Sequence, residues 1–169
     1  MSVTVKPKPA EGEQDFPSLA LVNTRLLLPG GAEADLLEGE DAARLRELRE
    51  AIRVLFEAYE TATAPPPGAL AAVNEAAATG PLVTQLTWDD SGPRETSYRT
   101  ANGSQAALAA DAIALLAGPA AARLHACGAH GCIRWYLRSH GTRQWCSTRC
   151  AARVRAARHY ARHHPGDSV

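Results

Sequence analysis

The spacing of the four cysteines constrains this 169-residue chain more than any other feature. They form two close pairs, Cys127-x4-Cys132 and Cys146-x3-Cys150, joined by a loop of thirteen residues, and no cysteine precedes them. A tetrahedral zinc ion requires two thiolates from each of two local turns, brought together by a connecting loop. The spacing therefore predicts one structural Zn²⁺ per chain, bound by all four cysteines.

The residues around each pair fit such a site. Cys146 and Cys150 are four apart, so on a helix they share one face and can bind a metal from its first turn. Gly128 and Gly131, inside the first pair, allow the tight turn of a zinc knuckle. His130 could replace one cysteine as a ligand, but four thiols already complete the shell. We interpret the nearby histidines as solvated or packing residues.

Two disulfides are the alternative use of four cysteines, with three possible pairings. The segment that begins at Met1 lacks the apolar stretch of a secretory signal peptide. We therefore expect a cytoplasmic protein, in which disulfides seldom persist and zinc is favoured. The chain contains no run of about twenty apolar residues, so we expect no membrane span.

Charge divides the chain into two opposed parts. Residues 1–119 hold nine Lys/Arg and seventeen Asp/Glu, a net charge of −8, whereas residues 120–169 hold nine Arg and one acid, a net charge of +8. A zinc ion bound by four thiolates would reduce the second value to about +6. Such an arginine-rich module attracts phosphate, and its guanidinium groups can contact phosphate or guanine in a bidentate way.

The candidate nucleic-acid contacts are seven arginines of this basic part: Arg134, Arg138, Arg143, Arg149, Arg153, Arg155 and Arg158. In helical projection, Val154, Ala157 and Ala161 form a narrow apolar stripe that can dock the last helix on its own domain and leave its arginines outward. The alternative is that the arginines pair with the acidic N-terminal part, within one subunit or between subunits.

The remaining sequence predicts a mainly helical α+β fold. Apolar periodicity and helix breakers predict helices over 15–24, 40–63, 69–78 and 104–116. Alternation over 81–88, followed by turn residues and a return over 95–99, predicts one small β-hairpin. Pro29-Gly30-Gly31 predicts a turn. We expect this helical domain to be followed by the zinc knuckle and a final helix.

The domain organisation predicted from these patterns is a disordered tail over 1–14, an N-terminal domain over 15–119, a zinc module over 120–164 and a short tail over 165–169. A module of roughly forty residues buries too little apolar surface to fold unaided, and metal binding offsets the shortfall. We therefore expect a chelator to unfold residues 120–160 and to leave most of the N-terminal domain intact.

The stretch from Cys127 to Arg153 resembles the CGNR zinc finger. It has the paired-cysteine knuckle, a run over 139–147 close to the family's Ser-x-Gly-Ser-Arg-Arg-Trp-Cys-Ser, and an arginine three residues after the last cysteine. Residues 15–119 are similar to the ABATE domain that usually precedes this finger, through a leucine-rich opening that ends in Asn23-Thr24 and a leucine–arginine–glutamate helix over 45–53. Ala151 and Ala152 replace the family's Gly-Asn, and the last cysteine pair is one residue closer.

The resemblance implies a stress-linked transcription regulator of bacteria. Combined with the basic tail, it predicts a DNA-binding regulator whose N-terminal domain senses a signal or forms a homodimer. The two alanines favour an uninterrupted helix after Cys150, so they should preserve metal binding but alter a turn that could shape a nucleic-acid contact.

Two other functions stay open from the sequence. Polar residues of the N-terminal domain could line a small-molecule pocket, in a binding protein or an enzyme: Asn23, Arg25, Trp88, Tyr98 and Arg99. The chain has no Gly-rich phosphate loop, zinc-protease helix or nucleophile motif, so a non-enzymatic role is favoured. The zinc finger could instead bind a protein, such as the acidic face of a second subunit.

Overall fold

The computed structural model describes residues 7–28, 31–80, 82–99 and 104–163. Its helices are α1 (Pro17–Val22), α2 (Ala42–Glu60), α3 (Pro67–Ala78), α4 (Ser104–Ala117) and α5 (Thr148–His163), with a 3-10 helix over Pro119–Arg123. Its strands are β1 (Arg25–Leu27), β2 (Glu33–Asp35), β3 (Leu82–Asp89), β4 (Gly92–Arg99), β5 (Leu124–Ala126) and β6 (Trp135–Leu137). They pair antiparallel as β1–β2, β3–β4 and β5–β6. The α+β class is confirmed, and β3–β4 is the predicted hairpin.

One hydrophobic core joins the N-terminal helices to the zinc module. Its buried side chains include Leu19, Val22, Leu48, Ile52, Phe56, Val73 and Leu115 from the first four helices, and Leu124, Trp135 and Leu137 from the C-terminal part. The indole of Trp135 meets Phe56 edge-on, with ring centroids 5.5 Å apart. Each fully buried large apolar side chain contributes about 2 kcal/mol to folding, so the zinc module is anchored in the core of the N-terminal domain.

Strand β6 lies between this core and a second, smaller one. Side chains alternate across a strand, so Trp135 and Leu137 enter the first core while Tyr136 points to the second. The second core holds Tyr136 with Ala10, Ala129 and three cysteine side chains. The three residues of β6 are all buried, and the strand therefore couples the thiol cluster to the helical domain.

Residues 8–16 form an N-terminal strap across β6. The carbonyl oxygen of Glu11 accepts a 2.9 Å hydrogen bond from the Leu137 backbone N–H, and the Glu13 carboxylate forms a 2.6 Å ion pair with Arg134. Gly12 has φ +91°, and a Cβ added there would lie 2.6 Å from Cγ of Leu137, so this close crossing requires glycine. The strap differs from the disordered tail expected over 1–14, because its carboxylates have partners far along the chain. Residues 1–6 lie outside the described part.

The region after α1 also differs from the expectation. The helix expected over 15–24 ends at Val22, and Arg25 begins a three-residue strand that pairs with β2 in the register Leu26↔Ala34. Three-residue strands are too short for an alternation signal. Of the expected turn at 29–31, Gly31 has φ +85°, and the other two residues lie outside the described residues.

The β3–β4 hairpin stands away from the core. Leu82, Leu86 and Trp88 lie on one face of β3 and are 58%, 73% and 74% exposed. The strands pair with each other over eight positions, from Leu82↔Arg99 to Asp89↔Gly92. Neither strand pairs with another described strand. None of the described helices combines the length and apolar character needed to cross a bilayer.

Candidate metal centre and nucleic-acid interface

The four cysteine sulphurs converge on one point. Sγ of Cys146 lies 3.7 Å from Sγ of Cys150 and 3.9 Å from that of Cys132, and the last two are 3.8 Å apart. The Sγ atoms of all four, Cys127 included, lie within 4.8 Å of one another. Tetrahedral Zn–S bonds of roughly 2.3 Å separate neighbouring sulphurs by roughly 3.8 Å, whereas a disulfide needs about 2.05 Å. The four thiols thus form a single zinc site, and the disulfide alternative does not hold.

Local structure explains this convergence. Gly131 has φ +66°, which permits the turn that returns Cys132 towards Cys127. The Cys146 backbone N–H points at Sγ of Cys127 at 3.4 Å. Ser147 precedes α5 and its Oγ accepts a 3.2 Å hydrogen bond from the Cys150 N–H, which caps the helix start. As expected, Cys150 lies in the first turn of the last helix.

The electrostatics of the cluster require a cation. Hydrogen bonds from Cys132 and Cys146 lower the pKa of the Cys127 thiol well below its usual range. Hydrogen bonding to Cys127 and burial raise the pKa values of the Cys132 and Cys146 thiols. Close thiolates repel one another in a buried site, so an ionised Cys127 disfavours ionisation of Cys132 and Cys146. A divalent metal is the group that allows all four to ionise together.

Comparison with protein families agrees with this geometry. The model of the ABATE family, described as "Putative stress-induced transcription regulator", matches residues 15–119. The model of the CGNR zinc finger matches residues 123–163. The chain belongs to the ABATE family. Its C-terminal part is a CGNR zinc finger, so this ABATE protein is a zinc-binding member of the family. Comparison with the curated proteins gives no match.

The CGNR finger ends in a helix that carries most of its exposed charge. Only Cys150 is buried in α5, Val154 is half-buried, and every residue over 155–163 is exposed. Ala151 and Ala152, which replace the family's Gly-Asn, are regular helical residues. The Val154, Ala157 and Ala161 stripe therefore touches the protein only at Val154. Among the described residues, none of the α5 arginines forms a salt bridge with a carboxylate.

The structure divides the seven predicted arginines into two groups. Arg149, Arg153, Arg155 and Arg158 lie exposed on α5. Arg134 is 8% exposed and is held by Glu13 and by the Lys8 carbonyl oxygen at 3.0 Å. The Arg143 guanidinium bonds Glu11 and the carbonyl oxygens of Trp145 and Cys146. Arg138 is half-buried, and its Nε is buried without a partner among the described residues.

Arg134 and Arg143 are thus structural arginines of the zinc lobe. Sequence reasoning missed this role because their carboxylate partners are in the strap, more than 120 residues earlier in the chain. The acidic residues Glu11 and Glu13 were a signal, but only a folded chain brings them to β6.

The five predicted pocket residues belong to different elements. Asn23 is buried and bonds the backbone of Trp135. Arg25, at the start of β1, is paired with Glu33 of β2 and with Glu50 of α2. Trp88 is exposed on β3, and the side chains of Tyr98 and Arg99 lie outside the described residues. The described members of the set already have separate structural surroundings and do not line one cavity.

Proposed function

We propose that this ABATE protein is a DNA-binding transcription regulator whose zinc site fixes α5 as the element that contacts DNA. The observation that carries the proposal is the exposed, arginine-bearing surface of α5. The nine residues over 155–163 extend about 13 Å at the helical rise per residue. A helix of this diameter fits the major groove of B-form DNA.

The distribution of side chains around α5 supports this docking. At 100° per residue, Arg155, Arg158 and Arg162 follow one side of the helix, and Arg149 and Arg153 follow the other. Between the two rows, opposite Cys150 and Val154, lies a strip of smaller or neutral side chains: Ala152, Ala156, His159 and His163. Two flanking rows suit the two phosphate backbones of a groove, and the strip between them suits base edges.

The zinc site also supports the proposal, because it would fix the position of the start of α5. The metal would hold Cys146 and Cys150 at the start of α5, while Cys127 and Cys132 join that start to the knuckle. Phosphate contact depends on a fixed helix direction, because the two arginine rows must meet two backbones together. The absence of salt bridges from the described carboxylates to these rows leaves their charge available.

DNA binding by a regulator is strengthened by a second copy, and we place the dimer contact on the β3–β4 hairpin. An isolated two-stranded hairpin is only marginally stable in water. Strand β3 has no charged residue from Leu82 to Trp88, although exposed edges are usually protected by charge. Antiparallel pairing of two β3 strands around Gln85 would set Leu82 opposite Trp88 of the second copy.

We also propose that the protein is cytoplasmic, because the reducing conditions of the cytoplasm suit a site of four free thiols.

The test is fluorescence anisotropy of a labelled DNA duplex at several salt concentrations, with the zinc-loaded full chain. The double variant Arg155→Gln/Arg158→Gln should lower affinity and reduce the slope of log K against log [salt] by about 2, since each phosphate contact contributes about 0.9. The matched control is Arg44→Gln/Arg123→Gln, which removes two exposed arginines elsewhere. Equal binding by both double variants, or no salt-dependent binding by the unaltered protein, would contradict the proposal.

A protein-interaction finger is the competing function, because the acidic N-terminal domain of a second subunit could meet the α5 rows. Sedimentation separates the two. An assembly held by these charges dissociates as salt rises from about 0.05 to 0.5 M, whereas an assembly through the apolar β3 face persists.

A further inference from the structure

A cavity of about 280 Å³ lies where β1 of the ABATE domain meets the zinc finger. Its apolar wall comes from Leu26 and Leu27 of β1 and from Ile133, which follows the knuckle. Its polar side comes from Arg134, Arg149 and Arg153. The cavity is separate from the pocket expected on the N-terminal domain, and it touches the start of α5.

The arginine side of this cavity has unsatisfied donors. Arg149 and Arg153 are one helical turn apart on the same face of α5. The Arg149 guanidinium has no hydrogen bond or ion pair among the described residues. The one hydrogen bond of the Arg153 guanidinium among them is with Sγ of Cys150 at 4.0 Å. Arg134 also lines the cavity, and its buried Nε lacks a partner in the described part of the chain. Unpaired guanidinium groups beside an apolar wall favour an anion, which they bind by charge-assisted hydrogen bonds.

The surroundings restrict the class of anion. Cys132 and Cys150 also line the cavity, and a zinc ion with four thiolates keeps two negative charges in excess. This charge disfavours a polyanion such as phosphate more than a single carboxylate. The volume lies just below the usual range of small-molecule sites, about 300–1,000 Å³, so the ligand must be small. The leucine wall requires an apolar body.

We propose that this cavity binds a small organic monocarboxylate with an apolar body, such as an aromatic acid. Its carboxylate accepts hydrogen bonds from Arg149 and Arg153, and its body packs on Leu26, Leu27 and Ile133. The recognition uses the planar fork of arginine, which matches a carboxylate in a bidentate way.

Ligand binding at this position also reaches the DNA contact. Arg149 and Arg153 form one of the two α5 rows in the proposed function, so a bound carboxylate would neutralise that row and weaken DNA binding. By linkage, DNA would weaken carboxylate binding by the same factor. This regulatory consequence rests on the proposed function, whereas carboxylate binding itself does not.

The experiment titrates the zinc-loaded full chain with benzoate by calorimetry and by NMR of arginine Nε–H groups. Benzoate should saturate at one per chain and bind at least about tenfold more tightly than acetate, phosphate or the neutral analogue benzamide. Arg149→Gln/Arg153→Gln should weaken benzoate binding about tenfold or more, and Arg155→Gln/Arg158→Gln should leave it unchanged. Leu27→Trp, which fills the apolar side, should also weaken it. Zinc content and melting temperature are checked for each variant.

Three results overturn the proposal: no saturable benzoate binding up to about 10 mM, benzamide or acetate binding as well as benzoate, or equal effects of the two arginine pairs. A second arm adds benzoate to the DNA titration, where the affinity of the unaltered protein for the duplex should fall. If the protein binds benzoate but never DNA, the proposed function fails and the carboxylate site stands. If it binds DNA but shows no selective benzoate binding, the reverse holds.

Discussion

The side chain of Asn23 pairs with the backbone of Trp135 as a neighbouring strand would. Its Nδ2 donates to the Trp135 carbonyl oxygen at 2.8 Å, and its Oδ1 accepts from the Trp135 N–H at 2.8 Å. The same Nδ2 donates to Glu13 at 2.6 Å, and Glu13 also binds Arg134. One amide therefore joins the end of α1, the strap and the strand that separates the two cores.

Asn23→Ala should lower the free energy of unfolding by about 3 kcal/mol, because it leaves a buried N–H and a buried carbonyl oxygen without partners. Urea denaturation followed by circular dichroism measures the change. Asn74→Ala is the matched control, since Asn74 is exposed on α3 and its replacement should change stability by less than about 0.5 kcal/mol. Equal midpoints for the two variants would show that the Asn23 bridge contributes little.

Removal of zinc should loosen the second core and leave the first largely intact. The thiol cluster depends on the metal, whereas Leu124, Trp135 and Leu137 are buried among the N-terminal helices. After chelation we expect hydrogen exchange of backbone amides to rise about a hundredfold or more over 127–132 and 143–154, an opening cost smaller by about 3 kcal/mol. Protection of β6 should fall less.

The pattern of hydrogen exchange after chelation distinguishes this shared-core arrangement from the independent zinc module expected from the sequence. In that module, residues 120–160 would unfold together. Cys132→Ser is a companion variant that removes one ligand without a chelator. Complete loss of protection at Trp135 and Leu137, with α2 unchanged, would favour the independent module. Unchanged exchange throughout after verified metal loss would mean that the metal does not organise the lobe.

The zinc site was predictable because its information is local. Each cysteine pair is within five residues, and Gly131 marks the turn between the members of the first pair. Helix α2, which carries Ile52 and Phe56, was predictable for the same reason, since its apolar spacing repeats along one segment. The β3–β4 hairpin has alternation and turn residues in a continuous stretch.

The orientation of the arginines was not predictable, because it depends on contacts distant in sequence. Arg134 and Arg155 both lie in the basic segment and cannot be distinguished by sequence. In the structure Arg134 is buried against Glu13, whereas Arg155 is exposed. In sequence the strap resembles a polar tail, because its carboxylates pair with Arg134 and Arg143, which lie far along the chain and cannot be recognised as partners from composition. The carboxylate cavity combines β1 with α5, and only the folded chain places those elements together.

Ionised Asp35 should stabilise the fold, and this contribution to the free energy of unfolding should be lost in the acidic range of pH. Burial raises the pKa of this carboxyl, but hydrogen bonds from Arg49, the Leu37 N–H and Arg46 outweigh it and hold the pKa well below its usual value. Because the folded pKa is depressed, the stabilisation is fully present above the unfolded pKa of about 3.9 and is lost as pH falls towards the folded value.

The measurement compares the unaltered protein with Asp35→Asn at each pH, which cancels the loss of thiolate ligation in acid. At pH 7 the variant should be less stable by about 2 kcal/mol, since the buried Arg49 loses a charged partner. This difference should narrow below about pH 4. Asp90→Asn in the exposed hairpin turn is the control and should show no such trend. A constant difference between pH 7 and pH 3 would contradict the assigned role of Asp35.

The exposed face of β3 should determine the oligomeric state. Leu86→Ser/Trp88→Ser removes two large apolar side chains of β3 that are 73% and 74% exposed. The double variant should raise the dimer dissociation constant about a hundredfold, since burial of each side chain contributes about 1.5–3 kcal/mol. Tyr59→Ser/Ile113→Ser removes exposed apolar side chains from α2 and α4 and should leave the dimer intact. Analytical ultracentrifugation over a range of concentrations gives both constants. A monomer at all concentrations, or equal weakening of the dimer by both double variants, would rule out β3 as the contact. We expect dimerisation only through β3, which pairs with β3 of the second copy.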